Sequence, residues 1–300
     1  MTTKLLTIES RADGLPLSVL LALPEGNPRA LVQFSHGMAE HKERYLPLME
    51  RLANAGYACM INDHRGHGAS VRSNADLGYF YDHGDTALVD DLHQLTEYFR
   101  AMFPGKKLTL VGHSMGSFAA RAYAAKYGSD IDALVLSGSP GYNAAAPVAL
   151  ALIAVVRLFK GDHAKSGFLD SLLNGSFAKN FPGDSKFLWL SANRENVARY
   201  DADPLCGFPF TVNGYRSLVK LMRAAYDKRT RIREDLPVLF LSGADDPCAP
   251  NRAGFEAAIQ NLKDRGCKNV SGKMYPGLRH EIFNETAEEP KTALMNFIAE

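Results

Sequence analysis

The chain is short of cysteine and of net charge, and it lacks any apolar run long enough to span a bilayer. Each shortage excludes something. Its four cysteines (Cys59, Cys206, Cys248 and Cys267) show neither zinc spacing nor a C-x-x-C pair. No zinc module is expected, and a reducing cytoplasm fits best. Cys59 lies inside an apolar run and reads as a small buried hydrophobe. A formal net charge of +1 over 300 residues, with no basic patch and no acidic tail, excludes a nucleic-acid binder. The longest uncharged apolar stretch, Ala144 to Val156, contains Pro147 and is shorter than the roughly 18 residues of a membrane span. The opening MTTKLLTIES has no long apolar core and no small-residue cleavage site, so no signal peptide is expected. There is no internal repeat and no low-complexity segment. What is present is an ordinary globular composition, 46% hydrophobic, at a length that suits one large domain or a domain carrying an insertion.

The first half alternates strands and helices. KLLTIES and LPLSVLLALP read as strands joined around Asp13-Gly14, and ALVQFSHG as a third. Lys42 to Ala55 reads as an amphipathic helix closed by Gly56. YACMIND is a strand, Ala87 to Met102 a helix, LTLVGH a strand and IDALVLSGS another. The rhythm breaks from Tyr142 to about Arg231, where the pattern is helical and irregular. It resumes with LPVLFLSGADD, a helix over Asn251 to Asp264, the strand NVSGKMYPG and a closing helix from Ala287 to Ala299. Such alternation predicts a mostly parallel sheet flanked by helices. Residues 1–141 and 232–300 are expected to form the core. Residues 142–231 are expected to form a helical cap inserted after the sixth strand, where α/β sheets place their binding crevice.

In LTLVGHSMGSFAARAYAAKYG, a serine sits between two glycines in G-x-S-x-G spacing, after a buried-type strand and before a helix that stops at Gly128. A turn this sharp strains its central residue and crowds strand against helix, so positions 112 and 116 favour glycine. Ser114 would be lifted clear of the sheet as a nucleophile. A serine needs a base, and the base needs an acid to hold it. Only His163 and His280 follow Ser114. His163 falls in the insertion, whereas His280 in YPGLRHEIFNE follows the last strand, so His280 is the expected base. The acid belongs on the loop Gly243-Ala244-Asp245-Asp246-Pro247. Asp246 is favoured and Asp245 is expected to cap or solvate the loop. The oxyanion donors should be the backbone N–H groups of Met115 and Met38. In NDHRGHG (Asn62 to Gly68), Asp63, His64 and His67 match no recognised metal spacing. No metal and no cofactor are expected, and Asp63 and Arg65 are expected to pair near the floor of the site.

With these residues in view, the chain resembles the α/β-hydrolases, and among them the monoacylglycerol lipase / lysophospholipase group, also described as serine aminopeptidase-like hydrolases. The resemblance rests on SHGMAEHKERY, NDHRGHGAS, LVGHSMGS, SGADDPCAP and YPGLRHEIFNE, which span most of the chain outside the insertion. It implies an α/β-hydrolase fold, a Ser114–Asp246–His280 triad, an oxyanion hole at Met38 and Met115, and hydrolysis of carboxylic esters of single-chain lipids such as monoacylglycerols or lysophospholipids. An amidase, aminopeptidase or acyltransferase on the same triad is the alternative reading, and a non-catalytic binding member a remoter one. The insertion opens with PVALALIAVVRLF, apolar nearly all round and so costly to leave facing water. It could be buried between cap and core, wall an acyl channel or touch a membrane peripherally. His36, Leu150 and Ile153 are candidate substrate contacts.

Overall fold

The computed structural model describes residues 1–249 and 251–300. An eight-stranded sheet runs through it in the order β1-β2-β4-β3-β5-β6-β7-β8. The strands are β1 (Thr2–Glu9), β2 (Pro16–Leu23), β3 (Leu31–Ser35), β4 (Ala58–Asn62), β5 (Leu108–His113), β6 (Ala133–Ser137), β7 (Val238–Gly243) and β8 (Val270–Tyr275). β1–β2 and β2–β4 pair antiparallel, and every later pair is parallel. The central strands β3, β4 and β5 are buried along their whole length, as a sheet covered on both faces requires.

The flanking helices are α1 (Leu46–Asn54), α2 (Gly84–Met102), α3 (Met115–Tyr127), α8 (Arg252–Asp264) and α9 (Glu289–Ala299). Between β6 and β7 the chain forms α4 (Ala146–Lys160), α5 (Gly167–Asn174), α6 (Arg194–Ala202) and α7 (Val212–Ala225). The helix expected over Lys42 to Ala55 is divided. Lys42–Tyr45 is a 3-10 turn, and α1 begins only at Leu46 with Pro47 in its first turn. A proline ring cannot follow an uninterrupted α-helical turn without striking the carbonyl four residues back, so the helix restarts there.

One apolar cluster joins sheet and insertion. Leu110 and Leu136 from the strands share it with Ile153, Leu169, Phe210 and Tyr215. α7 carries much of this contact, packing against α2, α3 and α4. A second cluster on the other face of the sheet gathers Phe34, Ile61 and Val111 with Leu52, Leu294 and Ile298. Among the described residues, no helix is long and apolar enough to cross a membrane.

Candidate active site

Ser114 occupies the single residue between β5 and α3, at φ 52 and ψ −118, a strained backbone position for a side-chain-bearing residue. The flanking glycines make the turn possible by close approach. A Cβ on Gly112 would lie 2.5 Å from the Gly116 carbonyl oxygen, and one on Gly116 would lie 2.0 Å from that of Ser35. The start of α3 therefore sits directly on the end of β3. A Cβ on Gly37 would lie 3.2 Å from Ser114 Cβ, which puts the loop after β3 against the serine.

The loops after β7 and β8 bring Asp246 and His280 together. His280 Nδ1 is 2.9 Å from Asp246 Oδ2, and both side chains are buried. The Cys248 N–H donates to the other oxygen of Asp246 at 2.8 Å. Asp245 is exposed, and its side chain makes no bond to His280. His163 stacks on Tyr79 with ring centroids 3.8 Å apart, outside the cavity that holds Ser114. Burial disfavours the charged form of His280. The Asp246 carboxylate, aided by Cys248, outweighs it and raises the imidazole pKa well above 6.5.

Ser114, Met115, Met38 and His280 line one cavity of ~720 Å³. Its remaining walls are largely apolar and come from the insertion, among them Leu173, Phe177, Phe208, Val219 and Met222. Among the described residues, no protein group accepts a hydrogen bond from the N–H of Met38 or Met115. Both amides are free for a ligand.

The residue after Met38 is held from three sides. Ala39 is left-handed at φ 50. Its N–H donates to His67 Nε2 at 3.2 Å. Its carbonyl accepts from the Tyr200 hydroxyl at 2.8 Å and from the Gly207 N–H at 2.9 Å. Beneath this loop lie His36, His64 and His67, all buried. Burial lowers their pKa values, to about 3 for His36 and His67, so the rings are neutral at neutral pH. Glu40, also at the cavity wall, accepts from the Gly37 N–H and the Tyr45 hydroxyl. Arg44 then joins Glu40, Glu281 and Asn196 at 2.6, 2.6 and 3.2 Å. This ties the loop after β3, the loop carrying His280 and helix α6 into one ionic knot.

Several sequence expectations need correction. His36 does not line the cavity. It is fully buried, its Nε2 accepts from the His64 N–H and its Nδ1 meets the Gly37 carbonyl, so it supports the loop and has no face left for substrate. Leu150 and Ile153 do not line the cavity either. They share a helical stripe with Ala146 and Ala149, but only those two reach the cavity, while Ile153 is fully buried and Leu150 packs on the apolar cluster. The cavity ends before the second turn of α4. Asp63 and Arg65 are not partners. Asp63 binds Lys42 Nζ at 2.7 Å, and Arg65 binds Asp91 at 2.9 Å.

Two contributors were missed. Trp189, the sole tryptophan in the chain, packs its ring 5.1 Å from that of His280, and His113 packs at 4.7 Å. The rarity of tryptophan was the one available signal for the first. His113 stands beside Ser114 in the motif, but nothing in the spacing says that it faces His280.

A family model described as serine aminopeptidase, S33 matches residues 26–287. A monoacylglycerol lipase of Mycolicibacterium smegmatis is 31% identical over 275 residues, covering 89% of this chain and 86% of that protein. A human monoglyceride lipase is 29% identical over 281 residues, covering 92% of this chain and 84% of that protein. Among solved structures, a thermostable carboxyl esterase from Bacillus coagulans in complex with glycerol superposes with a TM-score of 0.90 at 27% identity, covering 100% of this chain and 98% of that one.

Proposed function

Because the chain belongs to the serine aminopeptidase (S33) family of α/β-hydrolases, we propose that it is a serine hydrolase that cleaves carboxylic esters of single-chain lipids, monoacylglycerols or lysophospholipids, through an acyl-enzyme. The observation that carries this reading is the convergence of Ser114, His280 and two unpaired backbone amides on one largely apolar cavity. Ser114 Oγ attacks the ester carbonyl carbon, and His280 Nε2 takes the hydroxyl proton. Asp246 holds the imidazole in the Nδ1–H tautomer and stabilises the imidazolium that forms. The amides of Met38 and Met115 receive the developing oxyanion. His280 then protonates the leaving alkoxide, and water attacks the acyl-enzyme by the same steps. Residues 142–231 act as the cap over this cavity, standing on a core of 1–141 and 232–300.

An aminopeptidase would need an acid free to hold an ammonium group. Glu40 and Glu281 are both engaged by Arg44, and Asp170 by the Tyr215 hydroxyl. That favours the ester reading over the peptidase one. The outer face of the insertion supports peripheral contact with a lipid surface. Val148, Val155, Leu158, Phe159 and Phe168 are each more than half exposed, an apolar patch that water does not favour. The test is a hydrolysis screen over esters graded by chain length and head group with an aminoacyl arylamide included, alongside vesicle co-flotation. Arylamide turnover with negligible ester turnover overturns the ester reading, and absence from the vesicle fraction overturns the surface contact.

A further inference from the structure

We propose that His41, Asp203 and Cys206 form a zinc site that staples the insertion to the loop carrying Met38. The three potential donor atoms lie within 4.8 Å of one another. They come from two separate segments, the turn after β3 and the connection between α6 and α7. A tetrahedral zinc ion with bonds of about 2.0–2.3 Å sets its donors about 3.3–3.8 Å apart, a spacing that side-chain rotation reaches by opening the His41–Asp203 pair and drawing Cys206 in.

The surroundings of His41 argue for a cation at that point. Its Nδ1 meets Glu43 at 2.6 Å and its Nε2 meets Asp203 Oδ2 at 2.8 Å. An imidazole flanked by carboxylates on both nitrogens needs a positive charge on the ring or against it. With Nδ1–H donated to Glu43, the ring presents Nε2 to Asp203 and Cys206. A carboxylate that fixes the far nitrogen of a liganding histidine is the usual outer support of a zinc ligand. Glu43 is itself held by Lys42 at 2.7 Å. The Leu205 N–H occupies Asp203 Oδ1 at 2.8 Å, which leaves Oδ2 for the ion.

The donor set selects the metal. One imidazole, one carboxylate and one thiolate suit zinc and do not suit magnesium or calcium, which take oxygen donors. Uptake releases the proton on His41 Nε2 and the Cys206 thiol proton, and a water completes the four-coordinate ion. The Gly207 N–H already grips the Ala39 carbonyl one residue beyond Cys206, so the ion fixes the same loop from the cap side.

The test is a titration of the chelator-treated, reduced full-length protein at pH 8, with cobalt(II) as the spectroscopic probe and zinc(II) as competitor. The expected result is one cobalt per chain with a thiolate charge-transfer band that zinc bleaches. Cys206→Ser should abolish the band, and Glu43→Gln should weaken binding by about 10- to 100-fold. Cys248→Ser should leave the band unchanged, because Cys248 belongs to the separate Asp246–His280 cluster. Zinc should raise the melting temperature of wild type and not that of Cys206→Ser. No thiolate band, or a band that survives Cys206→Ser and disappears in Cys248→Ser, overturns the proposal.

Discussion

His280 Nδ1 and Asp246 Oδ2 lie 2.9 Å apart, and both residues are buried. The Asp246 carboxylate raises the imidazole pKa above 6.5. A general base must be neutral to accept a proton. Ester turnover should therefore rise with pH through a midpoint above 6.5, measurable as the acid limb of a kcat/KM–pH profile. The linked stability runs the other way. The pair stabilises the fold fully below the unfolded histidine value and loses that contribution as pH rises through the raised value. Asp246→Asn should cut kcat by about 10⁴-fold through the wrong tautomer, and Asp245→Asn should leave it within a few-fold. The reverse order would move the acid one residue upstream.

Ser114→Ala should fold and lose at least about 10⁴-fold in kcat. A fluorophosphonate should label wild type and leave the variant unlabelled. Retained activity with labelling at another serine would remove Ser114 from the role of nucleophile.

The elbow itself can be tested sterically. Gly116→Ala forces a methyl group to within 2.0 Å of the Ser35 carbonyl. Backbone must move, so both stability and turnover should fall, read as a lower denaturation midpoint and a lower kcat. An unchanged variant would mean that α3 does not sit on β3 this closely.

Arg44 joins two buried carboxylates. Arg44→Met should cost about 3–5 kcal/mol in unfolding free energy, because it strands both charges. Burial pushes the Glu281 pKa up, but Arg44 reverses this and lowers it to about 2. Its stabilising share is present above its unfolded value of 4.5 and disappears as pH falls toward 2. Acid denaturation of wild type and Arg44→Met should therefore converge at low pH.

The short face of α4 sets the substrate prediction. Ala149 lines the cavity where the sequence suggested Leu150 and Ile153. Each buried methylene is worth roughly 0.8 kcal/mol, so kcat/KM for p-nitrophenyl esters should climb about threefold to fourfold per methylene until the cavity fills. Ala149→Leu should bring the plateau to shorter chains while leaving acetate turnover near wild type. A wild-type profile that falls from acetate onwards contradicts an acyl-binding cavity.

The strand–turn–helix around Ser114 was legible because its cause is local: two glycines, an apolar run and a helix stop lie within twenty-one residues. The sheet was legible for the same reason, strand by strand. The partners of Asp63 and Arg65 were not. They are neighbours in the chain, but one side chain turns to Lys42 and the other to Asp91, a choice made by strand order. The opening of the insertion read as apolar nearly all round, and such a pattern could not mark which residues of α4 reach the cavity or where the cavity stops. The knot at Arg44 joins residues as far apart as Glu40 and Glu281, beyond any local pattern.

β6 and β7 are hydrogen-bonded neighbours in the sheet, although about a hundred residues separate them in the chain. Because the two strands are parallel, everything between them leaves at the C-terminal end of β6 and returns to the N-terminal end of β7, as a crossover connection. The length of such a loop is thermodynamically forgiving, since doubling it costs only about 0.6 kcal/mol in closure entropy. The connections between the helices of this segment can therefore change length while the strands beneath keep their register, provided that Ile153, Leu169, Phe210 and Tyr215 still cover the sheet.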